Sequence, residues 1–97
     1  MYVVALRVEL RIPNVQSLKG KRAIVKSVIN QIGQQTGVAA AEVDHQDLWQ
    51  RTAVGVSAVS AQAGHLQRII HSIERDLRRR PDIEVLDVFV DYLEDPS

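Results

Sequence analysis

The stretch that decides the fold is YVVALRVELRI, residues 2–12, in which two kinds of side chain alternate. The even positions are all apolar or aromatic, whereas the odd positions include Arg7, Glu9 and Arg11. A period of two indicates a β-strand with one buried face. Pro13 and Asn14 follow directly. Because proline cannot donate to a sheet and asparagine favours turns, the strand is predicted to end there.

Two segments have the three- and four-residue apolar spacing of amphipathic helices. The first is predicted over residues 18–36, with Ser17 as its N-cap and Gly37 as its C-cap. The second is predicted over residues 63–80, where Pro81 prevents the helix from continuing. Both helices therefore have an apolar side that must be buried.

Three further extended runs complete the pattern. Residues 38–45 alternate but form a weak strand by propensity, because alanine is a poor strand former. Residues 52–60 form the next extended run, after a polar connection at 46–51. In the last run, Leu86, Val88, Val90 and Tyr92 alternate with Asp87, Phe89 and Asp91. A hairpin and a fourth strand are therefore expected.

The order strand, helix, strand, strand, helix, strand predicts an α+β ferredoxin-like βαββαβ sandwich, with two helices on one face of a four-stranded antiparallel sheet. Ninety-seven residues fit a single domain, 1–97. The absence of cysteine excludes a disulfide framework, a thiol nucleophile and a cysteine metal site. Since the apolar opening is too short for a signal peptide or a membrane span, a soluble cytoplasmic protein is expected.

The formal net charge of zero conceals two segments of opposite sign. Residues 82–97 contain six acids and no base, whereas residues 17–26 contain four bases and no acid: Lys19, Lys21, Arg22 and Lys26. Cations at a helix start are unfavourable unless an anion is held there, which favours contact with RNA phosphate. The alternative is a solvated basic face. Arg78, Arg79 and Arg80 suit the end of the second helix electrostatically and are interpreted as structural.

The sheet face without helices suggests a contact surface. Its predicted apolar residues include Val3, Ala5 and Phe89, so this face is a candidate interface for a second copy or a docked protein. The alternative is a solvated face on which Arg7 and Arg11 pair with Asp87 and Asp91 across the strands.

The connection after the second strand is the densest polar run. Its candidate recognition residues are Asp44, His45, Gln46, Asp47, Trp49 and Arg51. His45 with Asp47 as its orienting group is a possible acid or base, but no second histidine stands nearby at ligand spacing, so no metal or cofactor is predicted. In the alternative interpretation Asp44 and Asp47 cap a turn, and Trp49 anchors the edge of the sandwich.

Two motifs resemble a known family: SLKGKR at residues 17–22 and EVDHQDLWQR at 42–51. They are similar to the YlxP-like family of small uncharacterised bacterial proteins, and the similarity extends along essentially the whole chain. The resemblance implies a ferredoxin-like fold, a cytoplasmic location, and genes near those of translation initiation factor two and ribosome-binding factor A. It implies no reaction or cofactor. Many members of the family have an acid at the position of Gly20. Because Gly20 is uncharged, this helix start is more positive than theirs.

Three functional hypotheses follow. The first is a non-enzymatic accessory protein that binds ribosomal RNA or a ribosome-assembly protein through the basic helix start and the polar connection. The second is a structural module that dimerises or docks through the open sheet face. The third is an enzyme that depends on His45, which ranks last because no nucleophile or glycine-rich phosphate loop is present.

Overall fold

The computed structural model describes residues 1–94 and has the predicted order of elements. The six elements are β1 (Tyr2–Arg11), α1 (Leu18–Ile32), β2 (Val38–Asp44), β3 (Arg51–Ser60), α2 (Ala63–Arg78) and β4 (Glu84–Glu94). The strands form an antiparallel sheet in the order β2-β3-β1-β4. The α+β ferredoxin-like fold is thereby confirmed.

The core lies between the sheet and the two helices. The predicted buried face of β1 is confirmed, because Val4, Leu6, Val8 and Leu10 are all at most 4% exposed. The helices contribute a stripe each: Val25, Val28 and Ile32 from α1, and Leu66, Ile69, Ile70, Ile73 and Leu77 from α2. These stripes follow the helical period, so one layer of helices can cover one face of the sheet.

Both helices end earlier than predicted. Helix α1 ends at Ile32, where the backbone N–H of Gly33 donates to the carbonyl of Ile29. Gly37 is therefore not the C-cap. Its φ of +80° belongs to the turn that leads into β2, a conformation that favours glycine. Helix α2 ends at Arg78, two residues before the predicted end.

The two helices pack side by side and run antiparallel. Arg80, just after α2, donates to Ser27 and Gln31 of α1 at 3.1 and 3.0 Å. Nearer the middle of α2, the hydroxyl of Ser72 accepts a hydrogen bond of 3.4 Å from the side-chain amide of Gln35. Gln35 lies just beyond the end of α1. The outer surfaces of both helices therefore form one continuous layer.

The register of β4 corrects the predicted charge pairs on the open face. Arg7 lies opposite Phe89, and Arg11 lies opposite Glu84 with an ion pair of 3.7 Å. Neither arginine faces Asp87 or Asp91. The register shifts at a bulge between Glu9 and Leu10, which leaves Leu86 without a β1 partner and 42% exposed. Alternation alone fixes the faces of a strand but not its register.

Candidate functional site

The helix layer carries a concentrated positive charge. Residues 17–36 contain four Lys and Arg with no acid, and residues 63–80 contain five Arg with two acids, so these segments together carry a formal +7. Because the whole chain is neutral, the remaining residues carry −7. The fold therefore separates charge between two layers, which raises the local positive potential over the helices.

Three of the four predicted phosphate-binding residues are accessible. Lys19, Arg22 and Lys26 are exposed on α1. Lys26 and Asn30 line a shallow groove between α1 and Arg80, which follows α2. Helix α2 and the residue after it add further exposed cations: Arg68, Arg75, Arg78 and Arg79. Of these, only Arg78 and Arg79 were interpreted as structural from the sequence, and Arg68 and Arg75 were not selected. The cationic surface is thus wider than the predicted helix start.

Lys21 is the exception, because its side chain is only 1% exposed. Its Nζ lies 3.1 Å from Oε2 of Glu42 and donates to the backbone carbonyl of His45. Glu42 also accepts a hydrogen bond of 2.6 Å from the hydroxyl of Thr52. A cation held in this way cannot reach an RNA phosphate, so the predicted role of Lys21 is corrected to a structural one.

The connection after β2 begins with a sharp turn. His45 has a φ of +62°, and its carbonyl accepts from the backbone N–H of Leu48 at 3.1 Å. Asp44 Oδ1 accepts from the backbone N–H of His45 at 2.8 Å. Asp44 therefore stabilises the turn through its side chain, as the alternative interpretation of the loop expected.

A network of charged side chains covers this end of the open sheet face. Glu9 accepts from Arg7 Nε at 2.9 Å and from Arg51 at 3.2 Å, and its Oε2 lies 3.2 Å from Nε2 of His45. Arg7 also reaches across β3 to Asp44 at 2.9 Å. Three of the predicted loop residues, Asp44, His45 and Arg51, therefore meet around a carboxylate that the sequence interpretation did not select.

The network lowers the pKa values of both its carboxylates. Partial burial alone would raise the pKa of Glu9, but the hydrogen bonds from Arg7 and Arg51 outweigh it and lower the pKa. The pKa of Asp44 is lowered chiefly by its hydrogen bond from Arg7. Both carboxylates are therefore ionised at neutral pH and pair with the arginines as anions.

The remaining loop residues point to solvent. Gln46 and Asp47 are exposed, and Trp49 is 51% exposed. The imidazole of His45 contacts Glu9 and Asp44. Asp47, the predicted orienting group, takes part in neither of these ion pairs. Within residues 1–94, no three His, Asp or Glu side chains come together as metal ligands. Trp49 is too exposed to act as the buried anchor of the sandwich edge.

The predicted interface residues lie together on the open face. Ala5 and Phe89 are exposed and Val3 is half-buried. Leu93 lies opposite Val3 on β4 and is 67% exposed. The sequence interpretation missed Leu93, although its place two positions after Asp91 and four after Phe89 puts it on the same face. No helix covers this side of the sheet in the described part of the chain.

The fold and the site define a class: a small ferredoxin-like sandwich with a cationic helix layer and an uncovered sheet face. A family model described as "Protein of unknown function (DUF503)" matches residues 3–90, and the chain belongs to that family. It is 32% identical over 68 residues to the uncharacterised protein YlxP of Bacillus subtilis, a match that covers 70% of this chain and 74% of the relative.

Two solved structures share the fold. The de novo designed protein Foldit4 aligns with a TM-score of 0.53 at 16% identity, over 96% of this chain and 98% of its own. SnoaB, a cofactor-independent oxygenase from Streptomyces nogalater that was solved as a mutant, aligns with a TM-score of 0.53 at 7% identity, over 98% and 94%. At these identities the likeness concerns the fold alone. Among the described residues, neither helix is long and apolar enough to cross a membrane.

Proposed function

We propose that the protein is a non-enzymatic accessory factor of the bacterial cytoplasm that binds ribosomal RNA through its helix layer. The observation that carries this proposal is the formal +7 on residues 17–36 and 63–80, whose cations are mostly exposed apart from buried Lys21. Lys and Arg contacts to phosphate supply most of the sequence-independent affinity for nucleic acid. The family resemblance implies a gene neighbourhood shared with translation factors. Ribosomal RNA is therefore the natural ligand to test.

The binding surface consists of the exposed cations on both helices and the adjoining turn. Lys19, Arg22 and Lys26 supply phosphate contacts from α1, and Arg68 and Arg75 supply them from α2. These side chains are exposed, and among residues 1–93 only Arg75 forms an ion pair with a carboxylate, that of Asp76 at 3.4 Å. Long exposed cations of this kind bind phosphate without a preformed pocket.

The connection after β2 is placed to add recognition beside the start of α1. The hydrogen bond from Lys21 to the carbonyl of His45 ties this connection to the helix. Gln46, Asp47 and Trp49 are all exposed there. A solvent-facing indole can stack on an unpaired base, which is how many proteins bind single-stranded RNA. A single-stranded region of ribosomal RNA is therefore the preferred target.

The test is filter binding of a ribosomal RNA fragment to charge variants. Arg22→Glu with Lys26→Glu removes two phosphate contacts and adds two repulsive charges, so affinity should fall by at least tenfold. Arg22→Gln should weaken binding several-fold. Its matched control is Arg11→Gln, since Arg11 is similarly exposed but lies on the sheet beside Glu84. The control should bind as the wild type does.

Circular dichroism melting must show that each variant is folded. Unchanged binding by Arg22→Glu with Lys26→Glu would overturn the proposal. Equal losses from Arg22→Gln and Arg11→Gln would overturn it as well, because the helix layer would then have no special role.

A further inference from the structure

The open sheet face combines a projecting side with a recessed side. On the β4 side, Phe89 is 54% exposed and Leu93 is 67% exposed. On the β2 and β3 side there is a shallow hollow of about 340 Å³ with an almost wholly apolar lining. Its open-face lining residues are Ala5, Ala39, Ala41, Val43, Gly55 and Ser57. Large side chains on one side and small ones on the other make the face complementary to itself.

Gly55 is necessary for the shape of the hollow. A Cβ atom placed at this position would lie 2.7 Å from Cγ1 of Val43, which is closer than real Cβ contacts. Val43 is the extra residue at the bulge in β2, between Glu42 and Asp44. The absence of a Cβ atom at Gly55 thus allows the Val43 side chain to pack against β3. The small side chains of the neighbouring alanines keep the hollow from being filled.

The register places the projecting and recessed residues in one row across the sheet. Ala41 lies opposite Gly55, Gly55 lies opposite Arg7, and Arg7 lies opposite Phe89. Ala41 and Phe89 are therefore at equal distances on either side of the line between β3 and β1. A two-fold axis parallel to that line, midway between two stacked sheets, sets Phe89 of each copy over Ala41 of the other and Arg7 over Gly55.

We propose that the open sheet face is a homodimer interface, in which Phe89 of each copy fills the small-residue hollow of the other. Such packing is isologous, because the same patch serves both subunits. It also matches the way in which two sheets stack with their strands roughly aligned. The occupant of the face is therefore a second copy of this chain.

The dimensions of the face suit a stable dimer. Four strands about 4.8 Å apart and about ten residues long give a flat area of roughly 600 Å². The accessible area of a corrugated face is larger than its projection, so complete coverage of this face would approach the roughly 800 Å² per partner that specific complexes bury.

The charges are consistent with the same arrangement. The cationic helix layers lie on the outside of such a dimer, away from each other. The acidic strand β4 of one copy faces β2 of the other rather than a second β4. On β2, the one acid of the open face, Asp44, is already paired with Arg7 at 2.9 Å. In this arrangement Asp87 of each copy lies over Asp44 of the other, so Arg7 must offset the charge of both carboxylates.

Sedimentation equilibrium of the whole chain over a broad concentration range tests the proposal. The wild type should be a dimer at micromolar concentrations, and Phe89→Ser should shift it to a monomer with a dissociation constant at least tenfold higher. The matched control is Tyr92→Ser. Tyr92 is an aromatic residue of the same strand with a similar exposure of 56%, but it pairs with buried Val4 and so lies on the helix side. This control should remain dimeric.

An exchange of large and small residues tests the contact itself. Phe89→Ala and Ala41→Phe should each weaken the dimer, the first by removing the projecting ring and the second by filling the hollow. The double variant moves the ring to the other side of the same contact and should restore the dimer. A double variant no tighter than either single one would refute the pairing of these two positions.

Other outcomes would overturn the interface as a whole. A wild type that is monomeric throughout would refute it, whether or not the protein binds RNA. A dimer that survives Phe89→Ser but not Tyr92→Ser would place the interface on the other side of the sheet.

Discussion

Glu9 shows how a single residue organises one end of the sheet. Its side chain is only 13% exposed, and it contacts Arg7, Arg51 and His45 on three different segments of the chain. A partly buried carboxylate is tolerated when cations and hydrogen bonds compensate for its lost hydration. The network therefore fixes the turn after β2 against β1. Nε of Arg51 is buried and has no hydrogen-bond partner among the described residues.

Substitution of Glu9 by glutamine should make stability less dependent on pH. At pH 7 the variant should be less stable by about 1 kcal/mol, since the charged hydrogen bonds to the arginines are lost. The pKa of Glu9 is lower in the folded state than its ordinary value of 4.5. A group with a lowered pKa stabilises the protein above its unfolded pKa, and that contribution is lost as the pH falls through the folded pKa.

Urea denaturation of both proteins between pH 7 and pH 3 measures this difference. The gap between wild type and Glu9→Gln should be constant above about pH 5 and should close below pH 4.5, the ordinary value for this carboxyl. A gap that widens as the pH falls would contradict the assignment.

Helix α1 illustrates which features of an element can be predicted from sequence. Its apolar stripe was predicted from Val25, Val28 and Ile32, and these residues are buried. Lys21 stands four residues before Val25, on the same stripe, so the helical period indicated that its side chain faces the core. Its charge suggested a surface role instead. The partner that makes burial possible, Glu42, is on another element, and no local pattern reveals such a contact.

The strands also combine features that the local sequence predicts with features that depend on a partner element. Alternation in residues 2–12 correctly predicted the buried face of β1. The bulges in β2 and β4 were not predictable, because each is set by the partner strand. The Glu9 network depends on those registers. It joins residues from β1, from the turn after β2 and from β3, which are up to 42 positions apart along the chain.

The contact of Lys21 with Glu42 fastens α1 to the edge strand β2, and its removal should weaken the whole fold. Lys21→Met leaves Glu42 partly buried without its cation, so the free energy of unfolding should fall by roughly 3 kcal/mol. Glu42→Gln in the same protein should restore part of the loss, because an amide needs no counter-charge and can still accept from Thr52. Urea denaturation measures both effects. Equal stability of Lys21→Met and wild type would contradict the contact.

At the scale of the whole molecule, the two faces of the sandwich have different characters. The helix layer is cationic and polar, whereas the open sheet face combines apolar side chains with a charged network at one end and with Asp91 between Phe89 and Leu93. A dimer through the sheet would place two helix layers on opposite outer surfaces. Each subunit would then present one RNA-binding surface, and binding to two sites on one RNA would increase the overall affinity without new contacts.

The central claim is that the helix layer binds RNA phosphate, and the salt dependence of binding tests it most directly. Each phosphate contact on a single strand contributes about −0.7 to the slope of log affinity against log salt concentration. The five proposed contacts therefore predict a slope of about −3.5 for a ribosomal RNA fragment, namely those of Lys19, Arg22, Lys26, Arg68 and Arg75. Absence of binding at low salt, or binding with a slope near zero, would contradict the account.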